Sequence, residues 1–170
     1  MAITVVPVTE TFAAEIGDID LSRPLGAADA EAVKQAFWKY SVLIFPEQKL
    51  EAEQHLEFAK LFGPLENSMM LYGDAPVRTR PEIADVSNLT HKNEIWGKES
   101  RLRMFQLGNR LWHTDSSFKR LPALCSLLYA RSVPPVGGQT EFADQRAGYD
   151  ALPEATKRKL EGLVAEHCIA

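Results

Sequence analysis

The chain has 170 residues, 45% hydrophobic and 25% charged, the composition of an ordinary globular domain rather than a disordered or fibrous one. Its net charge of −4, with Lys and Arg scattered and no basic arm larger than Arg101, Arg103 and Arg110, gives no reason to expect nucleic acid or an anionic membrane as partner. No apolar run reaches bilayer length, no secretory leader pattern opens the chain, and Cys125 and Cys168 lack metal or disulfide spacing, so a reduced, cytoplasmic protein is expected.

In chain order, residues 28–39 place Ala32, Val33, Ala36 and Phe37 at helical spacing behind an acidic first turn, which predicts a helix. Ser41 to Phe45, closed by Pro46, reads as a buried strand. Residues 50–62 return to helical spacing and stop at Gly63-Pro64. Ile83 to Ser87 suggests a strand, and Thr90 to Gly108 has no clear period, as in a long excursion or lid. Leu124 to Val133 predicts a long strand, Pro134 to Gly138 a turn, and Gln139 to Phe142 the next strand. Pro153 suits the first position of a helix with Thr156, Leu160, Leu163, Val164 and His167 on one face. Helices followed by strands imply an α+β protein with an antiparallel sheet.

The chemistry concentrates at Trp112-His113-Thr114-Asp115. In an extended strand, residues two apart point to one side, roughly 7 Å apart along the chain, so His113 and Asp115 can share one small cation. An imidazole and a carboxylate suit a divalent first-row metal, and one further histidine would complete the facial triad of non-haem iron oxygenases. His-x-Asp alone also fits a solvated turn or a satisfied core histidine. His55 and His91 lack partners in sequence and read as surface side chains. His167 is the remaining candidate for a third ligand, although its place near a helix end suits a packed or terminal histidine.

The run LWHTDSSFKRLPALCSLLYARSVPPVGGQTEFADQRAGYDALP, from Leu111 to Pro153, resembles the taurine dioxygenase family of Fe(II)/2-oxoglutarate enzymes. Within that family it looks most like the 2,4-dichlorophenoxyacetate dioxygenases. Gly17 to Leu21, Ser41 to Phe45 and Leu61 to Glu66 are similar to the same family in the same order. The resemblance implies a double-stranded β-helix, or jelly roll, with flanking helices. It implies Fe(II) as cofactor, 2-oxoglutarate as cosubstrate, O2 and a small organic acid as reactants, and a homo-oligomer.

The family's roles fall on this sequence as follows. His113 and Asp115 match the first two iron ligands. Thr140 matches the threonine whose hydroxyl binds the distal carboxylate of 2-oxoglutarate, and Asn109 an asparagine between cosubstrate and substrate. Without the family these read as an ordinary strand threonine and a turn residue beside Gly108. Ser116 sits where the family approaches its substrate. Met69, Met70, Leu71 and Tyr72 correspond to a substrate-contacting loop, apolar here where several relatives carry a basic or histidine side chain. Asp144 and Tyr149 look structural, as a turn or cap residue and an anchoring aromatic.

The second iron-binding histidine and the arginine that pairs with 2-oxoglutarate are expected beyond residue 170, so the single domain 1–170 is expected to be the N-terminal part of a jelly roll, incomplete at its C-terminal side. A substrate resembling an aryloxyalkanoate or a sulfonate is implied, with cleavage of an ether or C–S bond where hydroxylation labilises it. The competing expectation is a non-catalytic partial domain that self-associates or binds through open strand edges.

Overall fold

A computed structural model describes residues 2–67 and 78–168. The chain divides into two compact units, Met1–Phe58 with Leu127–Ala170, and Ala59–Ser126.

The first unit is built on strand β1 (Thr4–Pro7), strand β2 (Ala14–Gly17), helix α1 (Ala27–Tyr40) and strand β3 (Leu43–Ile44). The order is β1-β2-β3. β1 runs antiparallel to β2, with Val5 opposite Ile16, whereas β3 runs parallel to it, with Ala14 opposite Leu43. The sheet is therefore mixed, not antiparallel as expected. The reason is connectivity: a 14-residue helix between β2 and β3 is a crossover that returns the chain in the same direction. β1 and β2, four residues each, lie outside the expected elements, although the β-branched run Ile3-Thr4-Val5-Val6 is a signal for the first.

Helix α1 forms where the periodicity predicts. Asp29 in its first turn and Lys39 in its last complement the helix dipole. Val33, Ala36 and Tyr40 are buried along one face, and Ala36 and Tyr40 meet Ala14 and Ile16 of β2 in the core. Ile16 and Val33 are fully buried, and each such burial stabilises by about 2 kcal/mol. The helix ends at Ser41, whose N–H reaches the Phe37 carbonyl at 2.8 Å with φ at +64°.

After β3, the Gln48 side chain ties the loop to the Gly17–Leu21 segment. It accepts from the Leu21 N–H (2.9 Å) and donates to the carbonyls of Ile19 (3.1 Å) and Pro46 (3.0 Å). The Tyr129 hydroxyl accepts from the Leu50 N–H at 3.0 Å and donates to the Gln48 carbonyl at 3.4 Å. Helix α2 (Ala52–Ala59) carries His55 beside Tyr129, with ring centroids 5.9 Å apart. His55 is half-buried, not the surface side chain expected, because Tyr129 arrives from 74 positions further along the chain. Burial, and then the nearby Arg131 charge, push its pKa below the usual histidine value.

A 3-10 turn (Lys60–Phe62) follows α2 and stops at Gly63, whose φ of +143° favours glycine. That stop matches the predicted one. In the unit Ala59–Ser126, residues 83–87 form no strand, and Leu89 and Ile95 make an isolated antiparallel bridge instead. The expected lid contains a short helix, α3 (Arg101–Gln106), and a 3-10 turn (Leu107–Arg110). Ser100 starts α3: its carbonyl accepts from Met104 and its hydroxyl from the Arg103 N–H. A serine ahead of a helix was the local signal available.

Residues 121–130 show the alternation of a strand. Ala123, Cys125, Leu127 and Tyr129 are half-buried, while Leu124, Ser126, Leu128 and Ala130 are exposed. Yet neither Leu124–Val133 nor Gln139–Phe142 forms a strand, because a ladder needs a partner backbone and none pairs with them among the described residues. The predicted turn between them is present, with positive φ at Gly137 and Gly138.

Helix α4 (Gln145–Asp150) begins at Asp144, whose carboxylate accepts from the Arg146 N–H. Asp144 is thus the cap expected of it. Arg146 pairs with Asp144 and reaches the carbonyls of Thr11 and Lys39, both at 3.3 Å. Helix α5 (Glu154–Leu160) begins after Pro153 but stops before Leu163, Val164 and His167. Gly162, with φ of +76°, turns the chain out of the helix, so those three residues share no helical face and His167 is exposed. Among the described residues none beyond Leu56 is buried, and Leu121, Val136 and Val164 are almost fully exposed. Among the described residues no helix is long and apolar enough to cross a membrane.

Candidate functional site

His113 and Asp115 lie in the Ala59–Ser126 unit, just after the 3-10 turn Leu107–Arg110. Leu111 leaves that turn extended (φ −96°, ψ 146°). The expected extended strand is not formed here; Asp115 opens a turn in which Ser116 takes φ of +58° and its carbonyl accepts from the Lys119 N–H at 2.9 Å. The predicted pair is nonetheless together: His113 Nε2 lies 3.5 Å from Asp115 Oδ1.

Hydrogen bonding decides what each atom can do. His113 Nδ1 lies 2.7 Å from the Leu111 carbonyl oxygen. A carbonyl oxygen only accepts, so Nδ1 carries a proton and, in the neutral ring, Nε2 presents its lone pair toward Asp115. A lone pair facing a carboxylate oxygen is repulsive unless a cation lies between them, whether a proton or a metal. Two neighbouring donors about 2.1 Å from a first-row ion stand about 3 Å apart, so the pair fits such an ion with a shift of about half an ångström. Both side chains are about half exposed (48% and 59%) and reachable from solvent. Among the described residues no group of three His, Cys, Asp or Glu side chains could hold a metal ion.

Two further contacts shape the site. The Ser126 hydroxyl donates to Asp115 Oδ2 at 2.6 Å. Glu66 accepts from Lys119 Nζ at 2.6 Å and from the Ser116 hydroxyl at 3.3 Å, fastening the turn from its far side. Sequence reasoning missed both roles. Ser126 is 11 positions from Asp115 and Glu66 is 53 from Lys119, distances at which no spacing rule operates.

The other expected residues are placed as follows. Asn109 is exposed in the 3-10 turn before His113, and Ser116 is engaged with Glu66. Thr140 is exposed and belongs to the other compact unit. Met69, Met70, Leu71 and Tyr72 lie outside the described residues. A cleft of about 500 Å³ in the first unit, between Glu15–Asp20 and Pro46–Lys49, includes none of them.

Residues 4–170 match the family model described as taurine catabolism dioxygenase TauD, TfdA family. The chain belongs to this family. It is 40% identical, over 98% of its own length, to an alpha-ketoglutarate-dependent 2,4-dichlorophenoxyacetate dioxygenase of Cupriavidus pinatubonensis, covering 58% of that protein. It is 35% identical to an (S)-phenoxypropionate/alpha-ketoglutarate-dioxygenase of Sphingobium herbicidovorans, over 99% of this chain and 54% of that one. Among solved structures, AAD-2 in complex with Mn(II) and N-oxalylglycine superimposes with a TM-score of 0.82 at 42% identity, over 95% of this chain and 54% of that one. The chain thus spans about half the length of the curated relatives it matches.

Proposed function

We propose that His113 and Asp115 are two of the protein ligands of an Fe(II) centre in a 2-oxoglutarate-dependent dioxygenase that hydroxylates a small aryloxyalkanoate- or sulfonate-like acid. The observation that carries this reading is His113 Nε2 set 3.5 Å from Asp115 Oδ1, with Nδ1 engaged by the Leu111 carbonyl, inside a segment matched by the family. The full fold proposed is a double-stranded β-helix, of which residues 121–142 would supply strands; the alternating burial of 121–130 supports this.

Fe(II) with 2-oxoglutarate, when bound, supplies the oxidising power that O2 brings to a substrate C–H bond. The chain's residues do the rest. His113 would offer Nε2 while the Leu111 carbonyl engages Nδ1, and Asp115 would offer a carboxylate oxygen that balances part of the cation's charge. Thr140 is proposed to donate its hydroxyl to the distal carboxylate of 2-oxoglutarate, with Asn109 between cosubstrate and substrate. Ser116, Met69, Leu71 and Tyr72 are proposed substrate contacts. Relatives named for phenoxyacetate and phenoxypropionate support an aryloxyalkanoate as substrate, and every relative cited above is named as an enzyme, which disfavours a purely binding module. Hydroxylation of the carbon bearing the ether oxygen would release a phenol.

The test is Mn(II) titration of the chain and of Asp115→Ala, alongside succinate and phenol release from 2,4-dichlorophenoxyacetate with Fe(II) and 2-oxoglutarate. Binding that Asp115→Ala abolishes is expected. Binding that is indifferent to the substitution rules out the pair as ligands.

A further inference from the structure

Asp115 has two chemically equivalent oxygens, and the structure makes them unequal. Oδ2 accepts the Ser126 hydroxyl at 2.6 Å, while Oδ1 faces His113 Nε2 at 3.5 Å. Ser126 belongs to the exposed set of the alternating run 121–130, with Leu124, Leu128 and Ala130, which is why its hydroxyl is free to serve a side chain of the neighbouring turn. An exposed neutral hydroxyl adds little to folding, because water would solvate both partners equally well. A hydrogen bond that orients a carboxylate ligand has a different effect, since it fixes which oxygen and which lone pair a metal meets.

We propose that Ser126 is a positioning residue for Asp115: by occupying Oδ2 it holds the carboxylate so that Oδ1 alone is presented to a divalent metal shared with His113. The proposal rests on the reading of His113 and Asp115 as metal ligands. Without the hydroxyl, the carboxylate would turn about its χ2 bond, present both oxygens, and lose the preorganised single-oxygen geometry.

The experiment compares the wild-type chain with Ser126→Ala, Ser126→Thr and Asp115→Ala. Mn(II) affinity, the visible spectrum of added Co(II) and the thermal unfolding midpoint are measured for each. Ser126→Ala is expected to weaken Mn(II) binding by about tenfold or more, the usual effect of losing a partner that orients a ligand. Its Co(II) bands should lose intensity as a second carboxylate oxygen enters the coordination sphere, with the unfolding midpoint unchanged. Ser126→Thr, which keeps the hydroxyl, should restore both affinity and spectrum. If Asp115→Ala abolishes binding while Ser126→Ala matches wild type in affinity and spectrum, the role of Ser126 is overturned and the ligand pair stands. If neither wild type nor Asp115→Ala binds, or both bind equally, the pair itself fails and the proposal with it. A fall in unfolding midpoint for both serine variants, in parallel with lost affinity, would reduce Ser126 to a structural residue and overturn the proposal as well.

Discussion

Breaking the Glu66–Lys119 ion pair should loosen the turn that carries Asp115 and weaken metal binding by a limited, calculable amount. The Lys119 and Glu66 side chains are 35% and 41% exposed, so solvent screens the 2.6 Å contact despite its short length. Such pairs contribute about 0.5–1 kcal/mol, and the longer Ser116 hydrogen bond adds little beyond it. Against this stands Ser116, a non-glycine residue held at φ of +58°, a conformation that costs about 1 kcal/mol. The clamp and the strain are therefore of similar size, and the turn is poised rather than rigid. If metal binds only the ordered turn, apparent affinity falls in proportion to its population. From an evenly populated turn, loss of about 0.5–1 kcal/mol then corresponds to a weakening of about two- to threefold. Mn(II) titrations of wild type, Glu66→Gln, Lys119→Met and the double variant would measure this as a double-mutant cycle. The two single losses should be subadditive, and 1 M NaCl should shrink the difference from wild type. Strict additivity, or a loss above tenfold in Glu66→Gln alone, would refute the reasoning.

Acid should destabilise the chain through His55. Its folded pKa is lowered by burial and then by Arg131, so the unfolded chain binds more protons than the folded one; stability falls as pH drops through the unfolded value near 6.5 and levels off below the folded pKa. His55→Gln should flatten the fall in unfolding midpoint between pH 7.5 and 5.5, and an unchanged slope would count against it. Cys125 is half-buried and burial pushes its thiol pKa up, whereas Cys168 is exposed, so a thiol reagent at pH 7.5 should modify Cys168 first and Cys125 much more slowly. Peptide mapping after partial labelling reads the order directly. Ser41→Gly should raise stability in urea unfolding by about 0.5–1 kcal/mol, because glycine adopts the +64° φ at the end of α1 without the Cβ penalty. A loss of stability would show that the serine side chain contributes something its φ does not reveal.

What could be read from the sequence follows the range of the forces involved. Helix α1 was legible because its determinants are local: the Val33, Ala36, Tyr40 face, Asp29 at the start and Lys39 at the end all lie within the helix. The stop at Gly63 was equally local. Helix α3 escapes prediction because six residues hold too little periodicity, and α5 is shorter than the apolar spacing predicts because Gly162 interrupts it. Strands divide differently. A strand is expected over Leu124–Val133; burial alternates there from Ala123 to Ala130, yet no strand forms, because a strand depends on a partner backbone that sequence pattern cannot supply. The same non-locality explains the mixed sheet, whose parallel pairing of β2 and β3 depends on the helix between them rather than on either strand.

The candidate site shows this division within a few residues. The ligand types and the proximity of His113 and Asp115 were legible, although the pair sits at the start of a turn and not in the expected strand. An i, i+2 pair converges in a strand because both side chains leave the same face; here no strand forms at the pair, and Asp115 opens a turn whose next residue, Ser116, is left-handed. A strand would hold the pair through its ladder, whereas a turn must be held by side chains. The turn therefore needs Glu66 and Lys119 to fasten it and Ser126 to orient its carboxylate, contacts that come from 11 and 53 residues away. The identity of the ligands is thus local information, and the stiffness of the site is not. Substitutions at Glu66, Lys119 or Ser126 should consequently tune affinity by factors, whereas substitution of His113 or Asp115 removes it.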